Sequence, residues 1–448
     1  MTGRRPVQHR IRPFMTALML AGLLWLGPAE TGYPHGPAPA ENPLSGDRLY
    51  RDLVAYSEFG EHRTGTKADM LTARWIRRRL SEAGLQAELS PWSLRQFFLT
   101  RHDLKIDGRS LECFPIWYPR ATGSRPVTGS LIRFKETSPG LGLQGKIAFV
   151  AFNSRNVTSR SNHERIVRAA SDAGAIAVIG VPSAGLLLDL LTVNVSPPRN
   201  QTPWPIPVLS VARRHWPILT AAAERQARTE IWIEGQDIAQ TEAFNVVGRI
   251  DRGKDLIVVT TPLSGWLRGA GERGPGIAYF LALAEWAARR PSPVSYLFSA
   301  NAGHELGHLG QKHFFDRLMP PPSRVKCVLH LGSGGGAVWD YQYRPNGPEK
   351  RNRPGRQSLA GVPELTPILK RHFRELPQLR VQSGRYGGEL KDLVDQGHRA
   401  FGIFGAHYYT HTYRDTPDLS APKLLAPVAQ ALANVLEEIE RTDFDRRP

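Results

Sequence analysis

The chain reads as a layered α/β protein with a separate β-rich unit inserted after its first helices. Two observations carry this reading. From residue 246 onward, apolar runs of strand length alternate with longer segments of helical period, which is the pattern of a sheet covered by helices. Between about 96 and 238, by contrast, the apolar runs are short and separated by Gly and Pro, the punctuation of a β-rich unit.

Helical character begins at Asp47 and is clearest where Met70, Ala73, Trp75, Ile76, Leu80 and Ala83 recur at three- and four-residue spacing before Gly84, one apolar face followed by a helix stop. Within the insert, residues 147–151, 176–179 and 206–210 read as strands, with one helix before the AGA at 173–175. Beyond it, 246–250, 256–261, 294–299 and 325–331 read as strands, 276–288 as a helix and 424–441 as the closing helix.

The 448 residues suffice for two or three domains, and 41% hydrophobic with 22% charged residues is an ordinary globular composition. Arg4, Arg5, Arg10 and Arg12 precede the apolar run FMTALMLAGLLWL at 14–26, and Ala38-Pro-Ala40 follows. That layout is a secretory signal, giving 1–40 as signal and leader and an exported protein, periplasmic, extracellular or envelope-associated; an uncleaved anchor is the alternative. Cys113 and Cys327 allow one disulfide at most and exclude a four-cysteine zinc site. A formal charge of +17 attracts anionic envelope surfaces, while the scattered arginines form no nucleic-acid module, so nucleic acid is not an expected partner.

Three stretches carry chemistry: EHRTG at 61–65, FNVVG at 244–248 and THTYRDTPD at 410–418. In this order and spacing they resemble the zinc aminopeptidase family of di-zinc exopeptidases, aminopeptidase Y-like. GKIAF at 145–149, AGAIAVI at 173–179 and IPV at 206–208 resemble the protease-associated domain that such peptidases carry as an insert. The resemblance implies a three-layer mixed β-sheet flanked by helices, built from 41–95 and 239–445 and interrupted by a protease-associated domain over 96–238. It also implies a peptide or amide substrate and a pair of zinc ions roughly 3.5–4 Å apart that activate water between them.

Against that pattern the ligand positions are only partly kept. Where the family has a His at a strand end and an Asp two residues on, this chain has Pro262 and Ser264, and proline ligates nothing. The bridging carboxylate falls on Glu272, the second glutamate of the family's pair on Glu305, and the last His on His411. His304 replaces the family's general base; imidazole, with an ordinary pKa near 6.5, is able to take that role. Gly332 stands where another metal-binding Asp is expected.

Two readings follow. In the first, a metallohydrolase holds a single zinc with Glu305, His411, Glu272 and His308, with His304 and Glu305 as catalytic groups, since three ligands and a water suffice. In the second, the metal is absent and the fold serves as a binding ectodomain for a protein partner. HELGH at 304–308 also spells a zincin motif, but Gly307 and Gly310 argue against the continuous helix that motif needs. Arg273 is either a neutralising partner of Glu272 or a clamp for a substrate carboxylate. Trp266 reads as core, and Glu389 and Asp392 as a solvated helix face.

Overall fold

A computed structural model describes residues 41–135, 142–152, 161–182, 189, 191–195, 202–344 and 346–444. Residues 1–40, expected to be signal and leader, lie outside the described residues, and among those described no helix is long and apolar enough to cross a membrane.

The centre is a large mixed β-sheet covered by helices. Across its main part the strands run in the order Leu379–Ser383, Gln357–Gly361, Ala400–Phe404, Val325–Leu331, Leu256–Pro262, Ser295–Asn301 and Arg228–Ile250. The central members are parallel, with Leu256–Pro262 paired to both Val325–Leu331 and Ser295–Asn301. Leu256–Pro262 and Ser295–Asn301 are buried at every position, which is why neither shows the strict apolar–polar alternation of a half-exposed strand.

The helix Gly274–Arg289 fills the space beside this sheet and is buried from Gly274 through Ala284. Lys67–Glu82 begins at Thr66, whose side chain accepts from the Asp69 amide, an N-terminal cap. The closing helix Pro422–Arg441 buries Leu425, Val428, Leu432, Val435, Leu436 and Ile439, the three- and four-residue spacing of one helical face.

The insert is joined through two long antiparallel strands, Gln86–Ile106 and Arg228–Ile250, in register from Gln86 opposite Arg249 to Ile106 opposite Thr229. The expected boundaries near 95/96 and 238/239 therefore fall inside continuous strands, at the register shift between Leu94 and Gln96. A bulge of this kind bends and twists the ribbon. Much of it alternates between buried and solvent-facing positions, so no apolar run of fixed length announced it.

Within the insert, Val127–Arg133, Ile147–Phe152, Ala177–Pro182 and Val208–Val211 form a parallel sheet. It carries the helix Ser161–Asp172 and also Trp216–Glu224, a helix the sequence reading did not include. Cys113 and Cys327 are both free and buried, in different core clusters.

Candidate functional site

In an open sheet of parallel strands, the loops leaving the carboxyl ends make the ligand crevice. Here those ends are Pro262, Asn301, Leu331 and Phe404, and the loops that follow bear Ser264, Glu272, Glu305 and His411. The stretch 61–65 braces the first loop: the His62 amide donates to the Leu267 carbonyl at 3.1 Å, and the Gly265 amide to the His62 carbonyl at 3.0 Å. Asp415, from the 410–418 motif, accepts from the Gly271 and Glu272 amides at 2.6 and 3.1 Å. Two motifs that the sequence singled out thus act as backbone clamps on the loop that presents Glu272.

His62 is fully buried, stacked on Tyr56 at 4.0 Å and bonded to Thr72 Oγ1 at 3.0 Å. Burial lowers its pKa to about 3. The unfolded chain takes up a proton near 6.5 that the folded chain refuses. This contribution is therefore intact above about pH 6.5 and is lost as pH falls toward 3, at about 1.4 kcal/mol per pH unit. His62→Phe keeps a stacked ring without the proton site. Its stability relative to wild type should rise progressively between pH 6.5 and 4, as read by urea midpoints.

Glu272, Glu305 and His411 converge, and what lies among them is the Arg273 side chain. Arg273 Nη2 is 2.6 Å from Glu305 Oε1 and 3.1 Å from Glu272 Oε1, while His411 Nε2 is 3.3 Å from the same Glu272 oxygen. Arg273 Nε donates to the Ser264 carbonyl at 3.0 Å. The Ser264 hydroxyl donates to Glu305 Oε2 at 3.0 Å and accepts from the Gly303 amide at 2.9 Å. All five residues are at most 4% exposed.

Charge follows geometry. Burial opposes ionisation of Glu272, but Arg273 and His411 outweigh it and hold the carboxyl well below its usual range. Burial likewise disfavours the charged guanidinium, and Glu272 and Glu305 more than offset it. For His411 the burial penalty is overcome by Glu272, so its pKa is raised. Two carboxylates face one guanidinium and one imidazole biased toward protonation, so the cluster is balanced without any further cation.

Segment 191–195 of the insert roofs the cluster. The Leu191 amide donates to the His411 carbonyl at 3.3 Å and the Val195 amide to the Glu305 carbonyl at 2.8 Å. His411 Nδ1 lies 3.1 Å from the Thr192 carbonyl, and Trp266 Nε1 donates to Asn194 Oδ1 at 2.8 Å. Trp266 is 2% exposed, a core residue whose polar edge fastens the roof.

His304 and His308 stand in a neighbouring group. HEL at 304–306 is a single 3₁₀ turn between left-handed Gly303 and Gly307, and His308, itself at φ 61°, precedes the helix Leu309–Arg317. The two rings stack at 4.9 Å, but their Nδ1 atoms face different carboxylates: His304 lies 3.1 Å from Glu389 Oε1 and His308 2.6 Å from Asp392 Oδ2. Burial and then Arg273 push His304 well below its ordinary pKa. For His308 the Asp392 hydrogen bond overcomes burial and raises it.

Glu389 corrects the sequence reading. Instead of lying on a solvated face it is 0% exposed, with His330 Nε2 3.9 Å from its second oxygen, whereas Asp392 is 40% exposed at its side chain. Helical spacing could not tell which of the two points inward. His330, tied to Thr260 Oγ1 at 3.0 Å, was missed because it sits in an apolar strand.

The donor set does not fit the family's metal pair. Glu272 and Glu305 already share a guanidinium that stays protonated at any physiological pH, and Pro262 and Gly332 offer no side-chain ligand. A divalent ion about 4 Å from that guanidinium would be repelled by roughly 8 kcal/mol at an effective dielectric near 20. That is comparable to the ~10–16 kcal/mol total of a structural zinc site. Among the described residues, no group of three or more His, Cys, Asp or Glu is arranged to hold a metal ion.

No family profile matches the sequence, and no curated protein matches it. Solved structures do. BSAP, a zinc aminopeptidase from Bacillus subtilis, matches at a TM-score of 0.68 and 18% identity over 91% of this chain and 98% of its own. A peptidase M28 precursor from Shewanella amazonensis matches at 0.69 and 16% over 91% and 98%, and an aminopeptidase from Aneurinibacillus sp. strain AM-1 at 0.63 and 16% over 88% and 94%. Identities this low establish architecture rather than chemistry, and the architecture of this chain is the zinc-aminopeptidase-like fold.

Proposed function

We propose that this is an exported peptidase-like protein that engages peptide-like ligands and has exchanged the two-zinc centre of its fold for a buried ion cluster. The position of Arg273 carries the reading. Its guanidinium lies between the two carboxylates that the family pattern assigns to metal, and it supplies the charge they require. Ser264, at a lost ligand position, has become a hydrogen-bond donor to Glu305. The roof at 191–195 covers the cluster and keeps water from it. Residues 1–40 are read as the export signal and 96–238 as a protease-associated domain, while the basic surface favours an anionic envelope.

A second reading, hydrolysis of amide bonds with a single zinc, draws on the convergence of Glu272, Glu305 and His411 alone. It requires Arg273 to leave their midst. Metal content separates the two. Protein purified without chelator, together with Glu305→Ala and His411→Ala, is analysed for zinc by mass spectrometry. The ion-cluster reading expects far below one zinc per chain in all three. Stoichiometric zinc in wild type, lost in both variants, would overturn the ion-cluster reading and support the single-zinc hydrolase instead.

A further inference from the structure

A cavity of about 420 Å³ opens beside the loop that leads to His411, walled chiefly by Trp339, Tyr341, Arg353, Arg356, Gln357 and Tyr408. Its volume falls within the roughly 300–1,000 Å³ of small-ligand sites. The sequence reading assigned nothing to these residues, and none of them belongs to the ion cluster.

One part of the wall is aromatic. Tyr341 meets Tyr409 edge-on, with centroids 5.0 Å apart at 71°, and Tyr409 meets Tyr408 at 5.0 Å and 77°. Such a tyrosine cluster presents flat apolar surface with hydroxyl edges. The other part is cationic. Arg353 is engaged by Asp340 at 3.0 Å, which balances that acid. Arg356 is exposed and has no carboxylate partner among the described residues. The Lys350 and Lys423 ammonium groups lie 4.7 and 5.1 Å from the centroid of the Trp339 ring, and among the described residues the acid that lines the cavity, Asp340, is engaged by Arg353.

We infer that this cavity binds a carboxylate carried on a flat apolar body, the carboxylate on Arg356 and the body against Tyr341 and Tyr408. A guanidinium holds a carboxylate through two parallel hydrogen bonds, which fixes orientation as well as charge, and the adjacent rings accept a planar group at little entropic cost. A free aromatic acid and the C-terminus of a peptide ending in an aromatic residue share this chemistry. The inference does not depend on the metal reading, because the cavity's binding groups lie outside the Arg273 cluster.

Calorimetric titration of the intact protein tests it, using N-acetyl-tyrosine and the peptide Gly-Gly-Tyr, each as free acid and as C-terminal amide. At least one acid should bind about 10-fold or more tighter than its amide, as expected for a charge-assisted pair. Arg356→Ala should abolish that preference, and Arg356→Lys should keep part of it. Because Arg356 is exposed, melting temperatures should not change. Tyr408→Ala should weaken acid and amide alike, while Tyr408→Phe, which keeps the ring, should bind nearly as wild type. Tighter binding of the peptide acid assigns the site to peptide termini, and tighter binding of N-acetyl-tyrosine assigns it to free acids. Absence of saturable binding by both acids, equal affinity for acid and amide, or an unchanged preference in Arg356→Ala would overturn the inference.

Discussion

If Arg273 holds the metal's place, Arg273→Ala is expected to bind a single zinc that the wild type does not bind. Without metal, the variant leaves Glu272 and Glu305 facing each other in a site that is at most 4% exposed. Removing one member of such a buried ion group costs about 3–5 kcal/mol. The same change vacates the space among two carboxylates and the His411 imidazole, whose Nε2 already points at Glu272. Three protein ligands of these types suffice for zinc.

Stability in chelator should therefore fall, then recover on adding zinc by about 2.7 kcal/mol at a hundredfold excess over the dissociation constant. Metal analysis should give close to one zinc per chain for Arg273→Ala and none for Arg273→Ala/His411→Ala. Thermal melts with and without zinc supply a readout that needs no substrate. A variant that stays metal-free, or a wild type that gains as much stability from zinc, would defeat the claim that the guanidinium stands in for a metal.

Restoring the family's aspartate by Gly332→Asp is expected to fail, and to destabilise by ~3 kcal/mol or more, combining overpacking with an unpaired buried charge. A Cβ built at Gly332 would lie 2.4 Å from the Ile403 carbonyl oxygen and 3.4 Å from His330 Nε2. The first contact is with backbone of the neighbouring parallel strand, whose carbonyl also accepts the Gly332 amide at 2.9 Å, so neither strand can withdraw without breaking the pair. Gly332→Ala should already cost about 1–3 kcal/mol, measured by urea denaturation. Zinc binding by Gly332→Asp with little loss of stability would mean that the strand end relaxes freely and that the loss of this ligand is readily reversed.

The two predictions separate two ways of losing a metal position. On the proposed reading, Glu272 and Glu305 keep their carboxylates and the neighbouring Arg273 supplies the charge that a metal would. At Gly332 the ligand is gone and the backbone has closed over the space it would need. Reverting residues one at a time against a family pattern treats these cases alike, although the first is expected to be recoverable by a single truncation and the second is not.

The layered α/β architecture was legible in the sequence because burial leaves a one-dimensional trace. Leu256–Pro262, Ser295–Asn301 and Val325–Leu331 are mostly apolar because the sheet's centre is buried on both faces, and Pro422–Arg441 shows its period because one face is dry and the other wet. The lost side chains at Pro262 and Gly332 were equally plain, since no fold gives proline or glycine a side-chain ligand atom. What only the tertiary structure decided was direction. Sequence placed Arg273 next to Glu272 but not between Glu272 and Glu305; it put Glu389 and Asp392 on one helix but not Glu389 inside and Asp392 at the surface. It gave no sign that 191–195 would close over His411 and Glu305. Partners so distant in the chain meet through packing, and the charge on a buried group is set by whichever partner packing brings, which a linear pattern does not record.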